Sequence, residues 1–157
     1  HNLAEYSRRS VFQIIHLATH ARFASGRGRN SYIQLWGDRL YLDQLRELNW
    51  QRQPQKELLV LSACETAQGD QEAEMGFAGL AFRAGVKSVL ASLWDSDDVG
   101  TLGLMAEFYH HLKQQPLKAQ ALQAAQVALL QGQLRLEQGQ LRSQGAGLAI
   151  SLPDGLG

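Results

Sequence analysis

The sequence predicts an α/β domain in which a mainly parallel sheet lies between two layers of helices. Three strongly apolar segments, 11–19, 58–63 and 86–93, have the length and composition of buried strands. Stretches with helical periodicity or turn residues separate them, as in crossover connections. One cysteine among 157 residues excludes an internal disulfide, and the length suits one core. We therefore expect a three-layer α/β sandwich.

The first half of the chain has clear strand, turn and helix signals. The segment at 11–19 is β-branched and mostly apolar, which predicts a strand buried on both faces. Gly37 and Asp38 separate two short β-prone runs and predict a hairpin, and Asp43 is placed to cap the helix that follows. In chain order these elements are a helix at 3–9, a strand at 11–19, a loop at 24–31, hairpin strands at 32–35 and 39–42, and a helix at 44–48.

The second half alternates strands and helices up to about residue 131. Gly85 ends one helix, and Pro116 separates two others. In chain order these elements are a strand at 58–63, a helix at 76–84, a strand at 86–93, and helices at 101–113 and 118–131. Residues near one apolar stripe of the 101–113 helix are Leu102, Met105, Ala106, Tyr109 and Leu112. For residues 132–157 the sequence predicts a polar hairpin, followed by a Gly-rich tail that does not pack.

The composition is that of an ordinary globular domain. Apolar residues make up 45% and charged residues 19% of the chain, and 15 Lys and Arg balance 15 Asp and Glu. This balance argues against nucleic acid or an anionic membrane as a partner. No apolar run is long enough to span a bilayer, and no signal segment follows His1. Together with the single cysteine, these features predict a cytoplasmic domain cut from a longer protein.

Polar residues follow the predicted strands, where function gathers in parallel α/β sheets. They are His20, Cys64 and the acidic residues that begin at Asp95. A lone cysteine is most often a small buried apolar residue, and a lone histidine is most often structural. If the first two strands are neighbours, however, His20 lies near Cys64 and could lower the pKa of its thiol. The residues alone leave these alternatives open.

The remaining histidines have structural interpretations. His16 and His20 share a face of the first strand because their spacing is even. They are separated by about 13 Å, too far to bind one zinc ion with bonds of about 2.1 Å. We therefore expect no metal site there, and we expect His16 to be buried and hydrogen-bonded within the sheet. His110 and His111 are expected near a helix C-terminus, where they complement the helix dipole.

Two charged clusters each have a structural and a functional interpretation. They are a basic loop with Arg22, Arg27 and Arg29, and an acidic run of Asp95, Asp97 and Asp98. The basic loop lacks the features of a phosphate-binding loop and is interpreted as a solvated loop that lines a cleft. The acidic run either caps a helix and stabilises its dipole or attracts a cationic side chain.

Five sequence blocks are typical, in this order, of one known family. They are His16–His20, Glu57–Ala67, Gly76–Ala81, Arg83–Val89 and Ala91–Trp94. Together they resemble the CHAT domain, a caspase-like module often found after tetratricopeptide repeats in bacteria. The likeness extends from about residue 3 to residue 130. It implies a caspase-haemoglobinase fold over residues 1–131, with tetratricopeptide repeats preceding it in the full-length chain.

The resemblance also implies roles for individual residues. By position, His20 is the base and Cys64 the nucleophile of a His-Cys dyad, and the backbone N–H groups of Ala21 and Cys64 hold the oxyanion. The stretch 93–98 also resembles the Leu-Trp-Asp segment of separases. That likeness implies that the acidic run, with Asp98 as its principal residue, binds an arginine or lysine of the substrate.

Two features depart from the family pattern. CHAT sequences usually have glycine after the second histidine of the first block, whereas this chain has Ala21, whose methyl group is strained if the position needs a positive φ. Family members also usually finish with an aromatic-rich strand, and nothing after Gly145 resembles it. An absent final strand leaves a sheet edge open to association.

The function implied by these observations is a caspase-like cysteine endopeptidase domain in regulated proteolysis or signalling. Its substrate is expected to be a protein or peptide, and no cofactor is expected. Two alternatives stay open. One is an inert scaffold or protein-interaction module that kept the fold, and the other is a small-molecule thiol hydrolase or transferase on a similar sheet.

Overall fold

The chain forms two compact units, His1–Asp95 and Ser96–Gly157. The structure, a computed structural model, describes residues 12–22, 31–51, 55–62, 78–79, 81–92, 98–138, 140–145 and 147–152. None of the helices in these ranges is both long enough and apolar enough to cross a membrane.

The first unit is built on a small parallel sheet. In chain order, its described strands are β1 (Ile14–Ala18), β2 (Ala21–Arg22), β3 (Tyr32–Leu35), β4 (Asp38–Tyr41), β5 (Leu58–Ser62) and β6 (Val89–Ala91). β1, β5 and β6 pair in parallel with β5 at the centre. The α/β class, the parallel sheet and the adjacency of the first two long strands are therefore confirmed.

The two neighbouring strands differ in burial. In β5, Leu58, Leu59, Val60 and Leu61 are all buried, as expected of a central strand. In β1 only alternate residues are partly covered, and Ile14, on the other face, is 41% exposed. The prediction that the first strand is buried on both faces is therefore wrong. Its apolar composition matches that of β5, but in the described structure the face that carries Ile14, His16 and Ala18 is exposed.

A second, antiparallel sheet packs into the same unit. β3 and β4 form the predicted hairpin, with Gly37 at φ +74° in its turn, and β2 pairs with β3. A 3-10 helix, Leu42–Leu48, follows β4 directly. Asp43 lies in its first turn and not at its cap. The cap position is Tyr41, whose backbone N–H donates to Oε1 of Gln44 at 3.0 Å.

One apolar core joins these elements. It lies on the face of the parallel sheet that carries Leu59 and Leu61, against which the partly buried Ile15 and Leu17 also pack. The other buried members of the core are Ala21, Ile33, Leu40, Leu42, Leu45, Leu48, Trp50, Ala81, Ala84 and Val86. Residues 78–79 and 81–83 are helical, and the predicted stop at Gly85 is confirmed by its φ of +103°.

The second unit combines two helices with an antiparallel sheet. Its elements are α1 (Asp98–Leu112), α2 (Lys118–Leu130), β7 (Leu134–Glu137), β8 (Gln140–Ser143) and β9 (Leu148–Ser151). Both helices and the β7–β8 hairpin are confirmed. The tail needs a correction, because residues 148–151 form a third strand that pairs with β8.

The buried face of α1 differs from the predicted stripe. Leu102 is 37% exposed, whereas Gly103 and Glu107 are buried. Gly103 lies against the sheet, since a Cβ added there would be 3.2 Å from Cδ2 of Leu134. Glu107 accepts a hydrogen bond from the hydroxyl of Ser143 on β8. A stripe defined by apolar residues alone could not include a glycine and a carboxylate.

Candidate functional site

The carboxyl ends of β1 and β5 lie side by side. Ala18 is opposite Ser62, and the Thr19 N–H donates to the Ser62 carbonyl at 3.1 Å, so pairing continues beyond the last residue of β1. His20 follows with an exposed side chain. Its carbonyl accepts the Gln34 N–H at 2.8 Å, which anchors its backbone to β3. The histidine is therefore held at the sheet edge while its ring faces solvent.

The predicted partner, Cys64, lies outside the described residues. It follows Ser62, the last residue of β5, by two positions. Each β1 residue is opposite the β5 residue 44 positions later, and Cys64 follows His20 by the same 44 positions. Its proximity to His20 stays a prediction, and the register of the two strands agrees with it.

A side-chain hydrogen bond connects the same two strands. Nε2 of His16 lies 2.9 Å from Oγ of Ser62. His16 is on the exposed face of β1, so the expectation that it is buried is wrong, whereas the expectation that it is hydrogen-bonded is confirmed. Part of the ring is nevertheless shielded from water, and this burial lowers the pKa of His16. The imidazole is therefore mainly neutral at pH 7.

The free energy of unfolding is expected to fall as the pH drops below about 6.5, the ordinary pKa of histidine. The pKa of His16 is lowered in the folded chain, so the unfolded chain binds the proton first. The loss of unfolding free energy develops between the ordinary pKa of the unfolded chain and the lowered pKa of the folded chain. It is complete below the lowered pKa. Urea denaturation at several pH values, with His16→Gln beside the unchanged chain, isolates the effect. Equal pH dependence in both proteins would contradict it.

Ala21, one of the two predicted oxyanion donors, lies in β2 immediately after His20. It is 2% exposed, and its methyl group belongs to the apolar core. Among the described residues, the non-glycine positions with positive φ are Asn49 and Gln138. Ala21 is thus in an ordinary extended conformation, and the strain considered for its methyl group is absent.

The predicted charged clusters are described only in part. Asp98 is the first residue of α1 and is exposed. At that position the positive end of the helix dipole stabilises its carboxylate. Asp95 and Asp97 lie outside the described residues, as do Arg27 and Arg29. Arg22 is exposed at the end of β2, and His110 and His111 are in the last turn of α1, as predicted.

Ser62 is the site residue that sequence reasoning missed. It lies between two residues of one motif, Leu61 and Ala63, and was not assigned a role of its own. The available signal was proximity in sequence, because Ser62 lies only two positions before Cys64. Its partner His16 could be identified only from the register of β1 against β5.

Comparison with known proteins gives one match. The family model of the CHAT domain matches residues 1–143. The match includes the parallel strands of the first unit and the β7–β8 hairpin of the second. No curated protein and no solved structure shows significant similarity to the chain.

Proposed function

The chain belongs to the CHAT domain family, which is related to caspase-like peptidases, and we propose that it is a cysteine endopeptidase. In this proposal Cys64 is the nucleophile and His20 the general base. One observation carries it: the parallel register of β1 and β5 has the same 44-residue separation as His20 and Cys64. A dyad at this edge also agrees with the three-layer caspase-haemoglobinase fold, which we propose for the whole domain.

The chemistry assigned to the dyad is acyl transfer. The Cys64 sulfur attacks the carbonyl carbon of the scissile peptide bond, and the backbone N–H groups of Cys64 and Ala21 donate to the oxyanion. His20 holds the thiol proton and gives it to the leaving amine as the C–N bond breaks. His20 then takes a proton from water, whose oxygen attacks the carbonyl carbon of the thioester. As the C–S bond breaks, His20 returns that proton to the sulfur and the acid is released.

Covalent labelling tests the proposal. A peptide-based electrophilic probe should modify the 157-residue chain at Cys64, and Cys64→Ala should abolish the modification. Turnover of peptide substrates that disappears in the same variant would support an endopeptidase. Turnover of non-peptide esters with no peptide cleavage would favour a small-molecule thiol hydrolase. A folded chain inert to probe and peptide would overturn the proposal and favour a scaffold.

The acidic run is proposed to select a cationic side chain in the substrate. Replacing Asp98 by Asn is expected to lower kcat/KM about 10- to 100-fold for peptides ending in arginine, since a hydrogen bond to a charged group contributes about 1.5–3 kcal/mol. Peptides ending in leucine should be cleaved at an unchanged rate. Asp38→Asn, at the start of β4, is the matched control. Equal losses on both peptides would contradict this role for Asp98.

A further inference from the structure

The His16–Ser62 hydrogen bond lies close in sequence to both residues of the proposed dyad. Ser62 precedes Cys64 by two residues, and His16 precedes His20 by four. The bond therefore lies near the carboxyl ends of β1 and β5, from which the chain continues to His20 and Cys64. It joins β1 to β5, the strands that precede the two residues of the proposed dyad.

β1 depends on such a contact more than a central strand does. Ile14, His16 and Ala18 are exposed, so apolar packing does not hold this face of the strand. The backbone ladder fixes the register of β1 along β5. The ladder does not fix the twist between the two strand ends, which can vary within the range that is ordinary for parallel pairs. The His16–Ser62 hydrogen bond, formed at the last residue of β5, restricts this twist where the strands end.

We propose that His16 is a positioning residue, whose imidazole, hydrogen-bonded to the Ser62 hydroxyl, holds the ends of β1 and β5 so that His20 and Cys64 meet at a reactive distance. This inference rests on the proposed function. In this role His16 acts through the positions of His20 and Cys64 and takes no part in the chemical step itself. The lowered pKa of His16 supports it, since a neutral ring holds the bond to Ser62 throughout the neutral pH range.

The relative size of the effects on catalysis and on folding distinguishes a positioning role from a purely structural one. An exposed neutral hydrogen bond changes a folding equilibrium only about 2- to 10-fold. A displacement of about 1 Å between reacting groups can lower the rate about 100-fold. Removal of the bond should therefore affect catalysis far more than folding. A structural role would affect both to a similar small extent.

The test compares two deletions of the bond with two replacements that keep it. In the 157-residue chain, His16→Ala and Ser62→Ala should each lower kcat about 10- to 100-fold, with KM within about 2-fold. His16→Gln and Ser62→Thr retain a hydrogen-bonding group and should recover most of kcat. Ile14→Ala is the control, because it alters the same face of β1 without touching the bond. It should keep the kcat of the unchanged chain.

Each other outcome has a defined meaning. A His16→Ala chain with unchanged kcat overturns the positioning role but not the proposed function. An equal loss in Ile14→Ala, or no recovery in His16→Gln, assigns the effect to general weakening of β1 and also overturns the role. If neither deletion variant folds, the bond is a requirement for stability and the role is again overturned. Absence of Cys64-dependent turnover in the unchanged chain overturns the proposed function, and this inference with it.

Discussion

Under the proposed mechanism, replacing His20 by alanine is expected to lower kcat for peptide cleavage about 10²- to 10⁴-fold, the usual contribution of a positioned general acid-base. The folded structure should be retained. The His20 side chain is exposed, and its anchoring bond to Gln34 uses the backbone carbonyl, which alanine keeps. The effect should therefore fall on kcat and not on the free energy of unfolding.

The thiol of Cys64 provides a second readout for the same variant. A thiol beside a histidine has a pKa below the ordinary value of about 8.5, and loss of the histidine should return it towards that value. The rate of alkylation by iodoacetamide, measured from pH 5 to pH 10 in both proteins, reports this pKa. His110→Ala, in the last turn of α1, is the matched control and should change neither measurement. An identical alkylation profile in His20→Ala would contradict the assignment of His20.

The elements that position the site could be predicted because their signals are local. The apolar runs of β5 and β6 and the glycines at 37 and 85 are sufficient to place strands, a hairpin and a helix end. His20, the polar residue that follows β1, is also predicted from a local signal, its place directly after an apolar run. Parallel strands with crossover connections bring their carboxyl ends to one edge, so His20 was expected there from topology alone.

The features that were missed depend on contacts between distant residues. The composition of β1 resembles that of a central strand, and only its tertiary surroundings leave the face with Ile14, His16 and Ala18 exposed. Lys56 is a further example, since a lysine is ordinarily exposed. It is 2% exposed, and its Nζ donates to the Phe12 carbonyl at 2.6 Å, across 44 residues of sequence. No local pattern encodes such a partner.

Two features of the second unit, the strand β9 and the buried face of α1, differ from the prediction for a related reason. β9 is a short strand in a Gly-rich segment and has little strand propensity of its own, but β8 offers it a complete ladder of partners. On α1, Glu107 is tolerated in a buried position because the Ser143 hydroxyl donates to it and His111 lies 3.6 Å away. Both cases show tertiary partners overriding the preference of a segment.

Gly85→Ala is expected to have the largest effect on stability of the changes considered. Gly85 ends the helical residues 81–83, where its N–H and that of Val86 donate to the carbonyls of Phe82 and Ala81. Its φ is +103°, and an added Cβ would lie 2.3 Å from the backbone nitrogen of Gln51. Strain in φ costs about 1–3 kcal/mol. Displacement of a packed backbone adds about 1–3 kcal/mol.

The contact with Gln51 can be separated from the φ strain by a second glycine. Gly37 has a φ of +74°, but an added Cβ there meets nothing within 4 Å. Gly37→Ala should therefore show only the strain, about 1–2 kcal/mol, and Gly85→Ala about 2–6 kcal/mol. Urea denaturation followed by circular dichroism measures both.

Ala84 and Val86 are buried on either side of Gly85, so the backbone there cannot move away without opening the core that supports β5. Equal losses of unfolding free energy in Gly37→Ala and Gly85→Ala would show that the backbone of Gln51 moves aside without cost. The close approach of Gly85 to Gln51 would then not stabilise the first unit.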